Sequence, residues 1–119
     1  MKAVSALRRP LSDIVRDVRT TLLDRLGDNI SMLILYGSEA RGESRPDSDV
    51  DLIVVLRRYN PTMKKAVQDA VYDVMWQRDF DRMISVYVLA SDRFEAQRQE
   101  GFSFVRNVER DGVVLWQAA

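Results

Sequence analysis

Leu7, Leu11, Ile14, Val15, Val18, Leu22 and Leu26 recur three and four residues apart, the stripe of an amphipathic helix with one face on a core. Gly27 is a natural stop for it. The run Ile30 to Tyr36 (ISMLILY) is too short and too continuously apolar for an exposed helix, and a turn rich in Gly, Ser and Pro follows, so it reads as a buried strand. Asp49 to Leu56 (DVDLIVVL) reads as a second strand, its β-branched run implying burial on both faces. Asn60-Pro61 sets a capping side chain before a proline at the first helical position, and Met63, Ala66, Val67, Ala70, Val71, Val74 and Met75 continue as a helical stripe. Met83 to Leu89 (MISVYVL) is a third strand, after which Ser91 is placed to cap a helix running toward Gly101. A short helical piece is expected over Phe102 to Val108. Asp111-Gly112 then turns into Val113 to Trp116, read as an edge strand.

This order predicts an α/β (α+β) fold, a small sheet with helices packed on it, in a single domain spanning 1–119. The stripe methionines and the aromatics, Trp76 included, are expected in the core. A chain of 119 residues is long enough for that core.

Charge narrows the function. Eighteen basic and eighteen acidic residues cancel, so the broad positive field needed for non-specific nucleic-acid binding is missing. Arg57, Arg58, Lys64 and Lys65 read as a solvated rim, with a local phosphate contact as the alternative. Cysteine and histidine are both absent. That removes disulfides, thiolate zinc sites, Cys or His nucleophiles and imidazole bases, and leaves chemistry to carboxylates, hydroxyls and cations. No run approaches the ~20 apolar residues of a membrane span, and charge and Pro10 interrupt the N-terminal region. A cytoplasmic protein without a membrane partner is expected.

The candidate chemistry sits at the ends of the first two strands. Strand alternation puts Asp49 and Asp51 on one face and Val50 and Leu52 on the other. Two neighbouring carboxylates repel unless a cation sits between them or one takes a proton. Magnesium suits the arrangement, since it takes oxygen ligands and commonly uses one or two carboxylates plus substrate phosphates. Ile53 and Val55 continue the acidic face as hydrocarbon, so the acids stand at the sheet's end. Gly37 permits close backbone approach to a phosphate, Ser38 offers a hydroxyl, a helical turn from Glu39 to Arg41 would aim N–H groups at the same anion, and Arg41 adds charge.

Gly37-Ser38, ten residues, then Asp49-Val50-Asp51 reproduces the GSx10DxD signature of the DNA polymerase beta-like nucleotidyltransferase superfamily, and GSEARGESRPDSDVDL resembles its minimal nucleotidyltransferase branch. The resemblance implies a mixed sheet, one or two magnesium ions, and transfer of a nucleoside monophosphate, usually AMP from ATP, to an acceptor hydroxyl. It assigns Gly37, Ser38 and Arg41 to the nucleotide and Asp49 and Asp51 to metal and catalysis. It also implies a helical HEPN-type partner protein, for which such chains act as antitoxins, some by adenylylating that toxin.

Active members carry a third carboxylate on the strand after DxD. Here that strand reads MISVYVLAS, and the best alignment puts Ser85 at the acid's place. Serine is a poor magnesium ligand and no base at neutral pH. Asp81 would stand roughly 13 Å from Ser85 along a strand, and Asp79 faces the same difficulty. Three readings stay open: an active transferase, a weakened nucleotide-binding module that neutralises a partner by binding, and the nucleotide-binding subunit of a two-chain transferase. The chain also lacks the second lobe with which larger relatives such as kanamycin nucleotidyltransferases hold acceptor. A partner chain or a homodimer could supply it, with exposed apolar residues near Phe94, Phe102 or Trp116 expected to mark the contact.

Overall fold

The computed structural model describes residues 1–3, 7, 9–42 and 49–118, without the side chains of 9, 10, 38 and 39. Its elements are β1 (Lys2–Ala3), α1 (Arg9–Leu26), a 3-10 turn (Gly27–Asn29), β2 (Ile30–Tyr36), α2 (Gly37–Ala40), β3 (Val50–Leu56), α3 (Pro61–Gln77), β4 (Ile84–Ala90), α4 (Ser91–Gln99), α5 (Ser103–Asp111) and β5 (Val113–Gln117). The strands form one mixed sheet in the order β1-β5-β2-β3-β4. β3 runs antiparallel to β2 and parallel to β4, while β5 runs antiparallel to β2 and parallel to β1.

Period-two alternation divides the sheet into two unlike faces. Leu33, Leu35, Val50, Leu52, Val54, Leu56, Val88, Val113 and Leu115 pack with Leu11 to Leu22 of α1 and Val67 to Met75 of α3. Ile34, Ile53, Val55 and Leu89 form a smaller cluster with Phe94 of α4 and Val105 and Val108 of α5. The first layer is closed at its rim by ion pairs between the helices, Arg78 Nη1 to Asp17 Oδ2 at 2.6 Å and Arg25 Nη2 to Asp73 Oδ2 at 2.7 Å. Pairs this exposed contribute at most about 1 kcal/mol, far less than the apolar burial beneath them.

Local chemistry explains the junctions. Asn60 Oδ1 accepts the Met63 N–H at 2.8 Å with Pro61 at the first helical position, so α3 starts where its sequence predicts. Asn29 clamps the chain leaving β3, accepting from Arg58 N at 2.8 Å and donating to Arg58 O at 3.0 Å.

Several expectations need correction. Val113–Gln117 is an inner strand, because the two-residue β1 pairs on its outer side; so short a strand leaves no period for sequence to display. Ser91 begins α4 but does not cap it, since Ala90 occupies the cap position. Trp76 is 61% exposed and Tyr72 is exposed beside it. The buried face of α3 is Val67, Ala70, Val71, Val74 and Met75; Tyr72 and Trp76 lie one step round the helix and make a second stripe pointing outward. Phe94 is buried and Trp116 packs half-buried on the larger core, so of the three aromatics expected to mark a contact only Phe102 is exposed.

Candidate functional site

The register of β2, β3 and β4 builds one row across the sheet: Tyr36 lies opposite Asp51, and Asp51 lies beside Ser85. This row faces the side carrying α4 and α5, at the end of the sheet beyond the cluster formed by Ile53, Val55 and Leu89. Val50, between the two acids, is fully buried on the opposite face, and its N–H donates to Met83 O at 2.8 Å. Alternation thus anchors Val50 in the core and leaves Asp51 half-buried in the row, with Asp49 exposed one residue before the strand.

Gly37 follows Tyr36 directly and starts α2, with φ of +76°. A Cβ at this position would lie 2.6 Å from Asp51 Oδ2. Glycine is therefore required twice, for a left-handed backbone and for the carboxylate's approach to the turn. The Arg41 N–H closes the turn on Gly37 O at 3.2 Å. The Ser38 side chain and residues 43–48 of the motif lie outside the described residues.

Arg41 is exposed and lines a cavity of about 220 Å³ with Tyr36, Gly37, Phe104, Asn107 and Asp111. The Asp111 carboxyl is held below its usual range, chiefly by its hydrogen bond from Arg110, with Arg41 and Lys2 adding positive charge nearby. Lys2 Nζ also donates to Ala40 O at 3.1 Å, which ties β1 to the end of α2.

An aromatic wall borders the row. Phe104 of α5 meets Tyr36 edge-on at 6.1 Å and Tyr87 at 5.7 Å. Burial raises the Tyr36 phenol above its ordinary value, and the negative charge of Asp51 and then Tyr87 push it the same way. The sequence reading missed Tyr36, Tyr87, Phe104 and Lys2. Two had a signal: Tyr36 immediately precedes Gly37, and Tyr87 is two residues from Ser85, on the same strand face.

Asp49 and Asp51 offer only oxygen donors, a set that suits a hard ion such as magnesium. Among the described residues no group of three or more acidic side chains is arranged to hold a metal ion. Asp81 stands 3.9 Å from Arg78 Nε. Arg57, Arg58, Lys64 and Lys65 are exposed, and Lys65 pairs with Asp69 at 2.8 Å, as a solvated rim would. No helix among the described residues is long and apolar enough to cross a membrane.

A glycine turn against a strand carboxylate, at the end of a mixed sheet, is the arrangement of a nucleotidyltransferase domain. The family model for polymerase beta nucleotidyltransferases matches residues 20–117, and the chain belongs to that family. It is 26% identical over 101 residues to the putative protein adenylyltransferase MJ0141 of Methanocaldococcus jannaschii, covering 85% of this chain and 94% of that one. Among solved structures, a toxin–antitoxin determined with AMP-PNP superposes with a TM-score of 0.55 at 17% identity, over 87% of this chain and 73% of the other. A putative nucleotidyltransferase from Sulfolobus solfataricus gives 0.50 at 18% identity, over 88% and 78%. A toxin–antitoxin MntA–HpeT mutant, in which two aspartates two positions apart are replaced by glutamate, gives 0.55 at 15% identity, over 87% and 73%. At these identities the structures establish the shared fold.

Proposed function

We propose that this chain transfers a nucleoside monophosphate, AMP from ATP, to a hydroxyl of a partner protein, and that the partner is a helical HEPN-type toxin for which it is the antitoxin. The observation that carries this reading is the close approach of Gly37 to the Asp51 carboxylate, which leaves no room for a side chain on the turn. The protein adenylyltransferase among its relatives and the AMP-PNP-bound toxin–antitoxin among its fold neighbours support it.

In this mechanism Asp49 and Asp51 hold one or two magnesium ions, which when bound neutralise the triphosphate. Gly37 and Ser38 receive the phosphates and Arg41 pairs with them. The acceptor oxygen bonds to the α-phosphorus, the bond to the leaving pyrophosphate breaks, and the hydroxyl proton leaves to solvent. Ser85, beside Asp51 where the third carboxylate of active members is expected, has no basic form near neutrality to take that proton. Turnover is consequently slow, and Ser85→Asp raises it.

Ser85 also favours a second reading, a nucleotide-binding module that neutralises its partner by covering it. Incubation with labelled ATP, magnesium and a co-expressed HEPN-type partner separates the two. Label on the partner that disappears in Asp49→Ala/Asp51→Ala supports transfer. Inhibition of the partner that survives this double variant supports the binding module. Loss of inhibition with binding intact eliminates it.

A further inference from the structure

Gly37 approaches the Asp51 carboxylate and also lines the cavity of about 220 Å³ shared with Arg41. The α5 wall of that cavity is a single helix face, on which Phe104, Asn107, Val108 and Asp111 recur three and four residues apart. Val108 is buried, as a stripe residue should be. Asn107 and Asp111 make the rest of the face polar.

Asp111 is the last residue of α5, the end at which the helix dipole disfavours a carboxylate. Its place is nevertheless fixed. Gly112 follows with no room for a side chain, since a Cβ there would lie 2.5 Å from Val108 O and 3.0 Å from Ile34 Cγ2. Lys2 then joins the two walls of the cavity: its backbone N–H donates to Gly112 O at 2.8 Å, and its Nζ donates to Ala40 O at the end of α2 at 3.1 Å. Arg110 donates to both carboxylate oxygens of Asp111, Nε to Oδ1 at 3.1 Å and Nη2 to Oδ2 at 3.0 Å. These hydrogen bonds hold the carboxyl ionised. An ionised carboxylate has about four acceptor sites, so acceptor capacity remains. Asn107 Oδ1 accepts from Arg110 Nη2 at 3.3 Å, which leaves its amide N–H groups to donate.

The wall therefore presents an ionised acceptor and a neutral donor beside an aromatic ring. A phosphate, which only accepts, is repelled by Asp111, whereas a hydroxyl both donates and accepts and so answers both residues. In a nucleoside triphosphate the free hydroxyls lie on the ribose, the unit joined to the α-phosphate. We propose, resting on the transferase reading of Gly37 and Asp51, that this cavity receives the ribose of the donor nucleotide, with Asp111 accepting from its vicinal hydroxyls and Asn107 donating to them. Arg41, on the α2 wall, supplies charge for the phosphates, and Phe104 closes the cavity beside Tyr36. Asp111 and Asn107 thereby select ribonucleotides, a discrimination separate from the work of the metal-binding acids.

Calorimetric titration of the whole chain in magnesium tests this with three ligands: ATP, dideoxy-ATP, which keeps the base and the phosphates but lacks both hydroxyls, and inorganic triphosphate. The wild type is expected to bind ATP at least about tenfold more tightly than dideoxy-ATP, the order expected for hydrogen bonds to a charged group. Asp111→Ala should bring ATP down to the dideoxy level without weakening inorganic triphosphate. Asn107→Ala should narrow the same gap, again with triphosphate binding kept. Circular dichroism checks that each variant is folded, and if Asp111→Ala is not, the wild-type ratio and Asn107→Ala decide. Equal binding of ATP and dideoxy-ATP, or a gap unchanged in every folded variant, overturns the ribose site and leaves the transferase reading standing. No binding of ATP by the wild type overturns both.

Discussion

The face of the sheet under α1 and α3 and the face under α4 and α5 share strands β2, β3 and β4, yet only one is finished. The first is apolar along its length, with Leu22, Ile30, Leu35, Val54 and Leu56 fully buried. The second is closed by Phe94, Val105 and Val108 at one end, and at the other it shows Tyr36, Asp51, Ser85 and Tyr87. In β3 the two faces alternate residue by residue, so stability and chemistry lie one position apart. The sheet can carry a half-buried carboxylate against the glycine turn because the larger core does not depend on that carboxylate for its own packing.

This division makes neighbouring substitutions fail in different ways. Leu56→Ala, on the finished face, should cost about 2–5 kcal/mol in denaturant unfolding through lost burial and the cavity left behind. A loss under 1 kcal/mol would mean that this face is not the main core. Asp51→Asn should reduce nucleotide transfer by about a hundredfold or more while unfolding moves by no more than about 1 kcal/mol. Collapse of both together would undo the separation of faces. Gly37→Ala should fall between them, costing about 1–2 kcal/mol for its left-handed backbone and weakening binding of a fluorescent ATP analogue because its Cβ displaces the Asp51 carboxylate.

The smallest effect is a titration. The raised Tyr36 pKa means the folded chain holds this proton more tightly than the unfolded chain does. Its contribution to stability is therefore complete below the unfolded value near 10 and is lost as pH rises through the folded value. Phenolate absorbance of the protein minus that of Tyr36→Phe should show a midpoint above the ordinary one. In Asp51→Asn that midpoint should fall but stay raised, since burial is the larger cause. An unchanged midpoint would place the carboxylate's charge away from the ring.

The strands, the capped start of α3 and the Gly37 to Asp51 motif were legible in the sequence because each rests on local rules: period two in a strand, a cap beside a proline, a glycine after an apolar run. Trp76 was misread because an apolar residue on a helix is equally compatible with either side of the stripe, and only packing against α1 chooses. The inner position of β5 depends on a two-residue strand from the other end of the chain, which carries no periodic signal. The aromatic wall escaped notice for the same reason, since Tyr36, Tyr87 and Phe104 belong to three elements distant in sequence. Local periodicity specified the elements, the family motif and the neighbouring pair of acids. Which residues surround that pair depended on strand order and register, contacts between distant segments that become definite when the sheet closes over its larger core.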